Sequence, residues 1–401
     1  MTMKLQTPRG VKDFLPEETR WKLELETKLR QVFGQWAYEE VVTPTFELYD
    51  TLNLGDGTSD EMYRFLGRNG ELLALRSEIT TQIVRMVATR FQADPKPLRL
   101  SYHANVFRHD DVQVGFQREF YQAGVELIGS DTPAADGEAI ALAIRSIQAV
   151  GVQDFRVDIG QVQYFHGLMS ECQCPQISDQ VRQALLHQDY VGLKQIIQQA
   201  DLDRETKNLL LKLPSLRGGD EVLKKAYAAT KNKVAQAAVD NIRDIYRLLE
   251  AHGVADAVQI DFGMVKSLEY YTGMVMEGYT PNLGFSLGGG GRYNSLSARF
   301  GTNIPAVGFA LGLERLMLVL ERQGLKPAPA KQSYLVLPKN WVKALAYASK
   351  QRANGYQVEV DVQGLSFNEG LRYAQAKQIA WIATVGDDEP QIVAVCAENG
   401  E

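Results

Sequence analysis

The sequence has few cysteines, no long apolar run and no excess of basic residues. Its three cysteines, Cys172, Cys174 and Cys396, are too few and odd in number for a disulfide framework, so we expect a reduced, cytoplasmic protein. No stretch approaches the roughly 18 to 20 apolar residues of a membrane helix, and the first residues lack the apolar core of a secretory signal. The net charge of −6 argues against a large nucleic-acid surface.

The motifs that usually identify metal, nucleotide or nucleophile sites are missing as well. The Cys-Gln-Cys stretch at 172–174 has no second cysteine or histidine pair at zinc-ligand spacing, so we expect free thiols and no metal. The four glycines at 288–291 fit neither the dinucleotide-binding nor the P-loop spacing. The histidines are scattered, without a Ser-His-Asp or His-Glu-x-x-His arrangement. The sequence therefore predicts no cofactor.

The sequence does contain enough apolar residues for a large core. A chain of 401 residues, 45% hydrophobic and 23% charged, is typical of a soluble globular protein with two to three domains. Residues 1–324 lack the regular βαβ alternation of a Rossmann chain and predict an α+β core domain, an antiparallel sheet with flanking helices. Within it, a stretch rich in Leu, Gln, Lys and Ala at about 171–253 predicts a helical insertion.

The C-terminal part of the chain predicts a separate unit. A Pro-containing linker at 325–332 precedes residues 333–401, which read as a small α/β domain with the order strand, helix, strand, helix, strand, strand. Two further predictions concern the core. The apolar run "VGFALGLERLMLVLERQG" predicts a helix that ends at Gly324, and "YEEVVTPTFEL" predicts a strand that Pro44 limits to an edge or an interface.

Polar side chains on the predicted strand "REFYQAGVELIG" are candidates for a ligand site. Because side chains alternate along a strand, Gln122, Gly124 and Glu126 share one face, where the glycine leaves a hollow between an amide and a carboxylate. Arg108 lies on the preceding strand, where the connecting loop begins. A solvated sheet face and a surface cation are the alternative interpretations of these residues.

Other candidates are spread along the chain. They are polar or aromatic residues in otherwise apolar or glycine-rich stretches: Glu78, Thr80, Lys266, Glu269, Tyr270, Tyr271, Arg292, Tyr293 and Arg315. Tyrosines in strands are commonly core residues with a polar tip, a solvated edge explains an isolated Glu-x-Thr pair, and a buried arginine requires a partner. Individually, each of these signals has an ordinary structural explanation.

The order of these stretches carries more information than any one of them. "TPRGVKDFLPEE", "VVTPTFE", "LALRSEIT", "VFRHD", "FYQAGVELIG", "SLEYYTG", "GGGRY" and "VGFALGLERL" together resemble histidyl-tRNA synthetase, a class II synthetase, over residues 6–170 and 256–322. The resemblance implies a class II synthetase-like fold. It also implies that "VVTPTFE", with Pro44, forms a dimer interface.

The resemblance also implies roles for the candidate residues. Arg108 matches the family's phosphate-binding arginine and Arg315 the arginine that stacks on adenine. Most of the other candidates match the family's histidine pocket. Together with Arg108, the implied histidine-binding set is Glu78, Thr80, Arg108, Gln122, Glu126, Lys266, Tyr270, Tyr271 and Tyr293. Acidic and amide acceptors suit an α-ammonium group and an imidazole N–H, and discriminate against ligands that lack them.

Three departures from the synthetase pattern bear on function. The synthetase's catalytic arginine is replaced by Lys266, which offers a point charge and no planar fork. The loop 110–117, which would meet a tRNA acceptor end, has two acids and no basic residue. The tail 331–401 is short for an anticodon-binding domain and has seven Lys plus Arg against eight Asp plus Glu, a balance of −1.

These departures, together with "LRSEITTQIVRM" and "SLEYYTGMVMEGY", make the chain more similar to the family of ATP phosphoribosyltransferase regulatory subunits. That resemblance implies a non-catalytic protein that binds histidine and activates and feedback-regulates a separate short-form catalytic subunit. It further implies a self-dimer within a hetero-octamer, with no tRNA and no membrane as partners.

Two other functions remain open from the sequence. The chain could be a divergent histidyl-tRNA synthetase with a lysine at the catalytic position, or a free-standing synthetase-like binding module. The arginines Arg108 and Arg315 are either a remnant of a nucleotide site or structural cations.

Overall fold

A computed structural model describes residues 5–53, 62–109, 117–170, 175–202, 204–265, 270–281, 283–325 and 333–395. The chain divides into two compact units, residues 1–327 and 328–401. Among the described residues, no helix is both long and apolar enough to cross a membrane. Lys266, all three cysteines and most of the predicted 325–332 linker lie outside the described residues.

Helices lie in both units, and α12 and α13 belong to the second. In chain order the helices are α1 (Pro16–Gln35), α2 (Tyr49–Leu52), α3 (Thr80–Arg90), α4 (Pro133–Val150), α5 (Val162–Ser170), α6 (Pro175–Leu186), α7 (Tyr190–Gln199), α8 (Arg204–Lys212), α9 (Glu221–Ala229), α10 (Lys233–Ala251), α11 (Leu313–Arg322), α12 (Trp341–Ala353) and α13 (Phe367–Ala376). Short 3₁₀ turns lie at Leu213–Ser215, Ala255–Ala257 and Leu296–Phe300.

The strands form three sheets. They are β1 (Glu39–Glu40), β2 (Phe46–Leu48), β3 (Arg64–Leu66), β4 (Leu72–Leu75), β5 (Leu98–Phe107), β6 (Glu119–Ile128), β7 (Arg156–Gln161), β8 (Arg217–Gly218), β9 (Val258–Asp261), β10 (Met274–Tyr279), β11 (Gly288–Arg292), β12 (Ala306–Gly312), β13 (Ser333–Pro338), β14 (Gln357–Val360), β15 (Trp381–Val385) and β16 (Gln391–Ala394).

A nine-stranded sheet organises the first unit. Its order is β1-β5-β6-β12-β11-β10-β7-β9-β8, and the strands from β5 to β7 are antiparallel, as the sequence predicts. Side-chain alternation gives this sheet two different faces. On β6, Val125 and Leu127 join the core formed with α1, α4, α10 and α11, whereas Glu126 belongs to the opposite, polar face.

One predicted helix is too long. Residues 306–312 form the strand β12, and the helix α11 begins only at Leu313. The strand is central in the sheet, hydrogen-bonded to β6 and β11, and nearly every residue in it is buried. The core side of β12 carries Val307, Phe309 and Leu311, and its cavity side carries only glycine and alanine. Because neither side has a polar residue, the apolar run is indistinguishable from a helical one in sequence.

The predicted strand around Pro44 is also shorter than expected. Only Glu39–Glu40 and Phe46–Leu48 are strands, because Pro44 lacks an N–H and the intervening carbonyls bind side chains instead. Arg76 donates to the carbonyls of Thr43 (2.9 Å) and Pro44 (3.2 Å), and Gln82 donates to Pro44 (2.9 Å). Strands β3 and β4 form a hairpin that turns at Asn69-Gly70, a pair typical of such turns, with Gly70 at φ +85°.

Between β7 and β9 the chain forms mostly helices. Helices α6 to α10, with the short strand β8, occupy the stretch for which a helical insertion is predicted. In the second unit, the predicted order of strands and helices is observed, in a sheet of order β14-β13-β15-β16. Alternate residues of β13 contact α13 and α12, because Leu335 packs with Ala374 and Val336 packs with Ala344 and Ala348.

His103 on β5 is an ionisable group buried against α1. Its side chain is 1% exposed, its ring centroid lies 5.6 Å from that of Phe33, and Nδ1 lies 3.4 Å from Glu40 Oε1. Within the described part of the chain, neither ring nitrogen has a hydrogen-bond partner. Burial lowers the pKa of His103 to about 4, with the Arg30 guanidinium acting in the same direction.

This burial predicts a loss of stability in acid. Because an unfolded histidine has a pKa of roughly 6.5, the unfolded state binds the proton first as the pH falls, and folding weakens between about pH 6.5 and 4. Between pH 7.5 and pH 5, the free energy of unfolding should fall in both proteins. We expect the decrease to be about 2 kcal/mol smaller in His103→Phe than in the wild type. Urea titrations at the two pH values measure this difference. His187→Gln, at an exposed position, is the control, and equal losses in His103→Phe and the wild type would contradict the assignment.

Candidate functional site

A cavity of about 190 Å³ opens on the polar face of the large sheet. Strands β6, β12, β11 and β10 form its floor, and the start of α3, the segment from Tyr270 and helix α11 form its walls. The lining residues are Glu78, Thr80, Tyr102, Arg108, Phe120, Gln122, Glu126, Tyr270, Tyr271, Glu277, Ser286, Gly288, Gly289, Gly290, Gly291, Tyr293, Gly308, Phe309, Ala310, Gly312 and Arg315. This volume far exceeds the roughly 10–15 Å³ that one water molecule requires.

Strand register places glycines beside the large polar side chains of the cavity. In one row across the sheet, Glu126 pairs with Gly308, which pairs with Gly291. A Cβ atom on Gly308 would lie only 1.8 Å from Glu126 Oε2, and one on Gly124 would lie 2.5 Å from the hydroxyl of Tyr102. The glycines therefore provide the space that the polar side chains occupy.

Glu126 is the central polar group of the cavity. It is 1% exposed, and its Oε1 accepts a hydrogen bond of 2.7 Å from Thr80 Oγ1. Its Oε2 accepts a hydrogen bond from the hydroxyl of Tyr293, also buried. Burial raises the pKa of Glu126 to about 8, although both hydroxyl donors favour the carboxylate. Near neutral pH, Glu126 is therefore mainly protonated.

A second carboxyl group lies at the start of α3. Both oxygens of Glu78 accept hydrogen bonds from the backbone N–H of Thr81, at 3.0 and 3.2 Å. Burial raises the pKa of Glu78, and its charge would in turn raise that of Glu126. Since the helix N-terminus favours negative charge, Glu78 is the carboxyl group better placed to stay ionised.

Tyrosines enclose the same end of the cavity. The Tyr270 ring centroid lies 4.8 Å from that of Tyr271 and 6.0 Å from that of Tyr293, the latter in an edge-on arrangement. Burial raises the pKa of all three phenols and of Tyr102 above the usual value. These hydroxyls therefore remain neutral hydrogen-bond donors.

Two arginines line the other part of the cavity. Arg108 Nε donates to the carbonyl of Ser77 (2.9 Å), and its guanidinium carbon lies 5.5 Å from the Phe120 ring centroid. Arg315 donates to the carbonyl of Ser286 (2.8 Å) and lies 5.4 Å from the Phe285 ring centroid. The cavity thus has an acidic and phenolic part and a cationic part, a combination suited to a small zwitterion or to a cationic and an anionic group together.

The structure brings together nine of the ten site residues predicted from the sequence. Those that line the cavity are Glu78, Thr80, Arg108, Gln122, Glu126, Tyr270, Tyr271, Tyr293 and Arg315. Lys266 and the neighbouring Glu269 lie outside the described residues. Arg292 is not among the lining residues: it is buried and paired with Asp136, with Nε 2.9 Å from Oδ1, so it links β11 to α4.

The lining residues that were not among the predicted site residues include Tyr102, Phe120 and Glu277. Tyr102 stands opposite Gly124 on the neighbouring strand, Phe120 precedes Gln122 by two residues, and Glu277 lies on β10 opposite Gly289. Phe120 shares the strand parity of Gln122 and Glu126, a signal that was available. Glu277, which accepts a hydrogen bond from the Tyr279 hydroxyl, is the only charged residue of an apolar strand, a second available signal. In the part of the chain that the structure describes, no cluster of His, Cys, Asp and Glu could hold a metal ion.

Known sequences match this chain over nearly its whole length. A family model described as "Histidyl-tRNA synthetase" matches residues 10–316. The "ATP phosphoribosyltransferase regulatory subunit" of Moorella thermoacetica is 40% identical over 383 residues, covering 94% of this chain and 98% of that protein. The protein of the same name from Desulforamulus reducens is 39% identical over 381 residues, with coverage of 94% and 93%.

Solved structures agree with the fold. A structure described as an ATP phosphoribosyltransferase regulatory subunit/histidyl-tRNA synthetase from Bacillus halodurans is similar with a TM-score of 0.87 and 31% identity, covering 97% of this chain and all of that one. Histidyl-tRNA synthetase from Nostoc has a TM-score of 0.83 at 21% identity, with coverage of 98% and 97%. The predicted class II synthetase-like fold is confirmed.

The close packing at Gly308 makes a prediction about stability. A methyl group there would collide with the Glu126 carboxyl group and with the Val125 carbonyl, 2.4 Å away, so the strands must shift. We expect Gly308→Ala to lower the free energy of unfolding by about 1–3 kcal/mol in urea titrations. Gly284→Ala is the matched control, because a Cβ there has no neighbour within 4 Å. If both variants were equally stable, the steric role of Gly308 would be refuted.

Proposed function

The chain belongs to the family of ATP phosphoribosyltransferase regulatory subunits, and from this premise we propose that it is the cytoplasmic histidine-sensing subunit of that enzyme. The name of the family implies a separate catalytic partner. In our proposal that partner is the short-form catalytic subunit, and histidine bound in the cavity regulates it.

The observation that carries this proposal is the buried Glu126 carboxyl group. It lies in a cavity that Glu78, Gln122 and four tyrosines also line, and the side-chain oxygens of all these residues can accept N–H groups of a ligand. Histidine carries an α-ammonium and an imidazole N–H. A ligand lacking either group would leave a buried acceptor unpaired, at a cost of about 1–3 kcal/mol.

The protonation of Glu126 links occupancy to charge. With a pKa of about 8, Glu126 is largely neutral at pH 7. A bound cationic or N–H group within hydrogen-bond distance would favour the carboxylate and lower this pKa. Histidine binding would therefore release a proton.

Lys266 supports a regulatory rather than a catalytic role. Where a synthetase has the arginine that stabilises charge during carboxylate attack on a phosphate, this chain has a lysine. A lysine supplies a point charge without the two parallel donors of a guanidinium. We propose that Lys266 serves the histidine carboxylate, and that Arg108 and Arg315 are retained from a nucleotide site.

A self-dimer is part of the proposal. Val42, Phe46, Leu48 and Leu66 are exposed, from 51% to 86%, near Pro44 or on the small β2-β4-β3 sheet. Arg76 and Gln82 hold the Pro44 carbonyl from the inner side, so this apolar surface is rigidly backed. We propose that two copies bury this surface against each other and that the dimer is the core of a hetero-octamer.

RNA is not a partner in this proposal. The C-terminal stretch 331–401 has a charge balance of −1, whereas an RNA-binding domain is usually basic. The loop 110–117, which lies almost entirely outside the described residues, has no Lys or Arg in its sequence. Neither segment has the excess of basic residues that is usual where a protein binds tRNA.

The histidine site is tested by removing the Glu126 carboxyl group. We expect Glu126→Ala to weaken histidine binding by about 1–3 kcal/mol, roughly 5- to 150-fold, in titration calorimetry. Glu126→Gln keeps the shape of the neutral acid and should fold like the wild type, yet it cannot become a carboxylate. At pH 7 the wild type should release a proton on binding, seen as a dependence of the heat on the buffer, and Glu126→Gln should not.

The matched control is Glu321→Gln, at an exposed position on α11. It should bind histidine as the wild type does. Wild-type affinity in both Glu126 variants would remove Glu126 from the ligand site, and no histidine binding by the wild type would overturn the sensor proposal.

The competing function, a divergent histidyl-tRNA synthetase, predicts histidine-dependent ATP–pyrophosphate exchange. We expect no exchange above the rate without histidine, because loss of the fork-shaped donor at Lys266 costs a few kcal/mol of transition-state stabilisation. Lys266→Arg is the informative companion variant, since exchange gained there would attribute the defect to this position. Appreciable turnover by the wild type would favour the synthetase.

A further inference from the structure

One part of this acidic chain is strongly basic. Residues 204–233 contain eight Lys plus Arg and three Asp plus Glu, a balance of +5, whereas the whole chain has −6. The remaining residues therefore carry −11. This stretch comprises α8, β8, α9 and the start of α10, all within the helical insertion. We refer to its exposed lysines as the basic face: Lys212, Lys224, Lys225, Lys231 and Lys233.

Among the described residues, three exposed lysines of α8 and α9 have no acidic partners, in contrast to several cations of α1. On α1, Lys22, Lys28 and Arg30 each form ion pairs with glutamates of the same helix or its neighbourhood. Within the described ranges, Lys212, Lys224 and Lys225 form no ion pair, and all three are exposed. Helix α9 buries Val222, Leu223 and Ala226 and directs Lys224 and Lys225 to the surface.

The same insertion is tied to the strands beside the cavity. Arg217 on β8 lies 3.5 Å from Asp158 and 3.9 Å from Asp261, and Asp158 stands opposite the cavity residue Glu277. The Phe262 N–H donates to the Leu216 carbonyl (3.0 Å). Residues 261–265 lead along the chain toward Tyr270 and Tyr271. The insertion therefore contacts Asp261 and Phe262, at the start of the segment that leads to the cavity tyrosines.

From this arrangement we propose that the basic face is the docking surface for an acidic face of the catalytic subunit. The identity of the partner rests on the proposed function. The exposed Lys224 and Lys225 of α9 attract an acidic surface over about one Debye length, roughly 10 Å at 0.1 M salt, and set its orientation. Docking there places the partner on the helical insertion. Arg217 of the insertion pairs with Asp158 on β7, the strand next to the cavity strand β10.

A protein partner fits the charge distribution better than RNA. RNA binding relies on neutralising many phosphates and usually on a basic domain, and outside this stretch the chain carries −11. The basic face is a local patch of lysines on one insertion. A patch of this kind suits one complementary protein surface.

The test is charge reversal on α9. We expect Lys224→Glu/Lys225→Glu to weaken binding of the purified cognate catalytic subunit at least about tenfold at roughly 50 mM salt, measured by titration calorimetry. The difference should shrink at about 500 mM salt, because exposed charges are then screened. Histidine binding by the free variant should match the wild type. The matched control is Lys350→Glu/Lys377→Glu, two exposed lysines of the second unit, which should bind the catalytic subunit like the wild type.

The outcomes separate the two proposals. If the wild type binds the catalytic subunit and the α9 variant binds it equally well, the docking surface is wrong and the proposed function stands. If the wild type does not bind the catalytic subunit, the proposed function itself fails. If the α9 variant binds more weakly than the wild type by the same factor at low and at high salt, the lysines act through structure. That result would overturn the electrostatic proposal. Tight, salt-dependent binding of poly(A) RNA by the wild type, abolished in the α9 variant, would assign the face to nucleic acid instead.

Discussion

Burial of the Glu126 carboxyl group on the polar face of the sheet is the constraint on which the site depends. A carboxyl group at this depth requires donors for both oxygens, and Thr80 and Tyr293 supply them. It also requires space, which exists because Gly308 on the adjacent strand has no side chain. Three separated parts of the chain are thereby held in one arrangement around a single polar group.

The same constraint explains why so much of the cavity floor is glycine. A large sheet usually covers both faces with side chains, and here the polar face is left open along β11 and β12. The helices α1, α4, α10 and α11 bury the other face, so stability comes from one side and recognition from the other. This division allows a site to lose its chemistry and keep its binding pocket, because the core does not depend on the groups that react.

That division is consistent with a regulatory subunit built on a synthetase-like scaffold. The cavity has an acidic and phenolic part, and in our proposal Lys266 stands where a synthetase has its catalytic arginine. Recognition of a small amino acid needs paired donors and acceptors, which a lysine can complete. Stabilising a developing charge in a transition state needs a more exact geometry, for which a lysine is a weaker substitute. The ion pairs of Arg217 connect the helical insertion to β7 and β9, and β7 pairs with the cavity strand β10.

The sequence by itself determined the fold class, the family and the identity of most cavity residues. Strand alternation placed Gln122 and Glu126 on one face, and the ordered motifs brought in Glu78, Tyr271 and Tyr293, although these residues lie far apart in the chain. Only the tertiary structure decided the rest, since strand register and burial are properties of neighbours rather than of local sequence. It showed that 306–312 is a strand, which the sequence could not indicate because the residues on both of its faces are apolar and leave no period of two. It also placed Arg292 in an ion pair with Asp136, Glu277 in the cavity and His103 in the core, because the environment of an ionisable group is set by what packs against it.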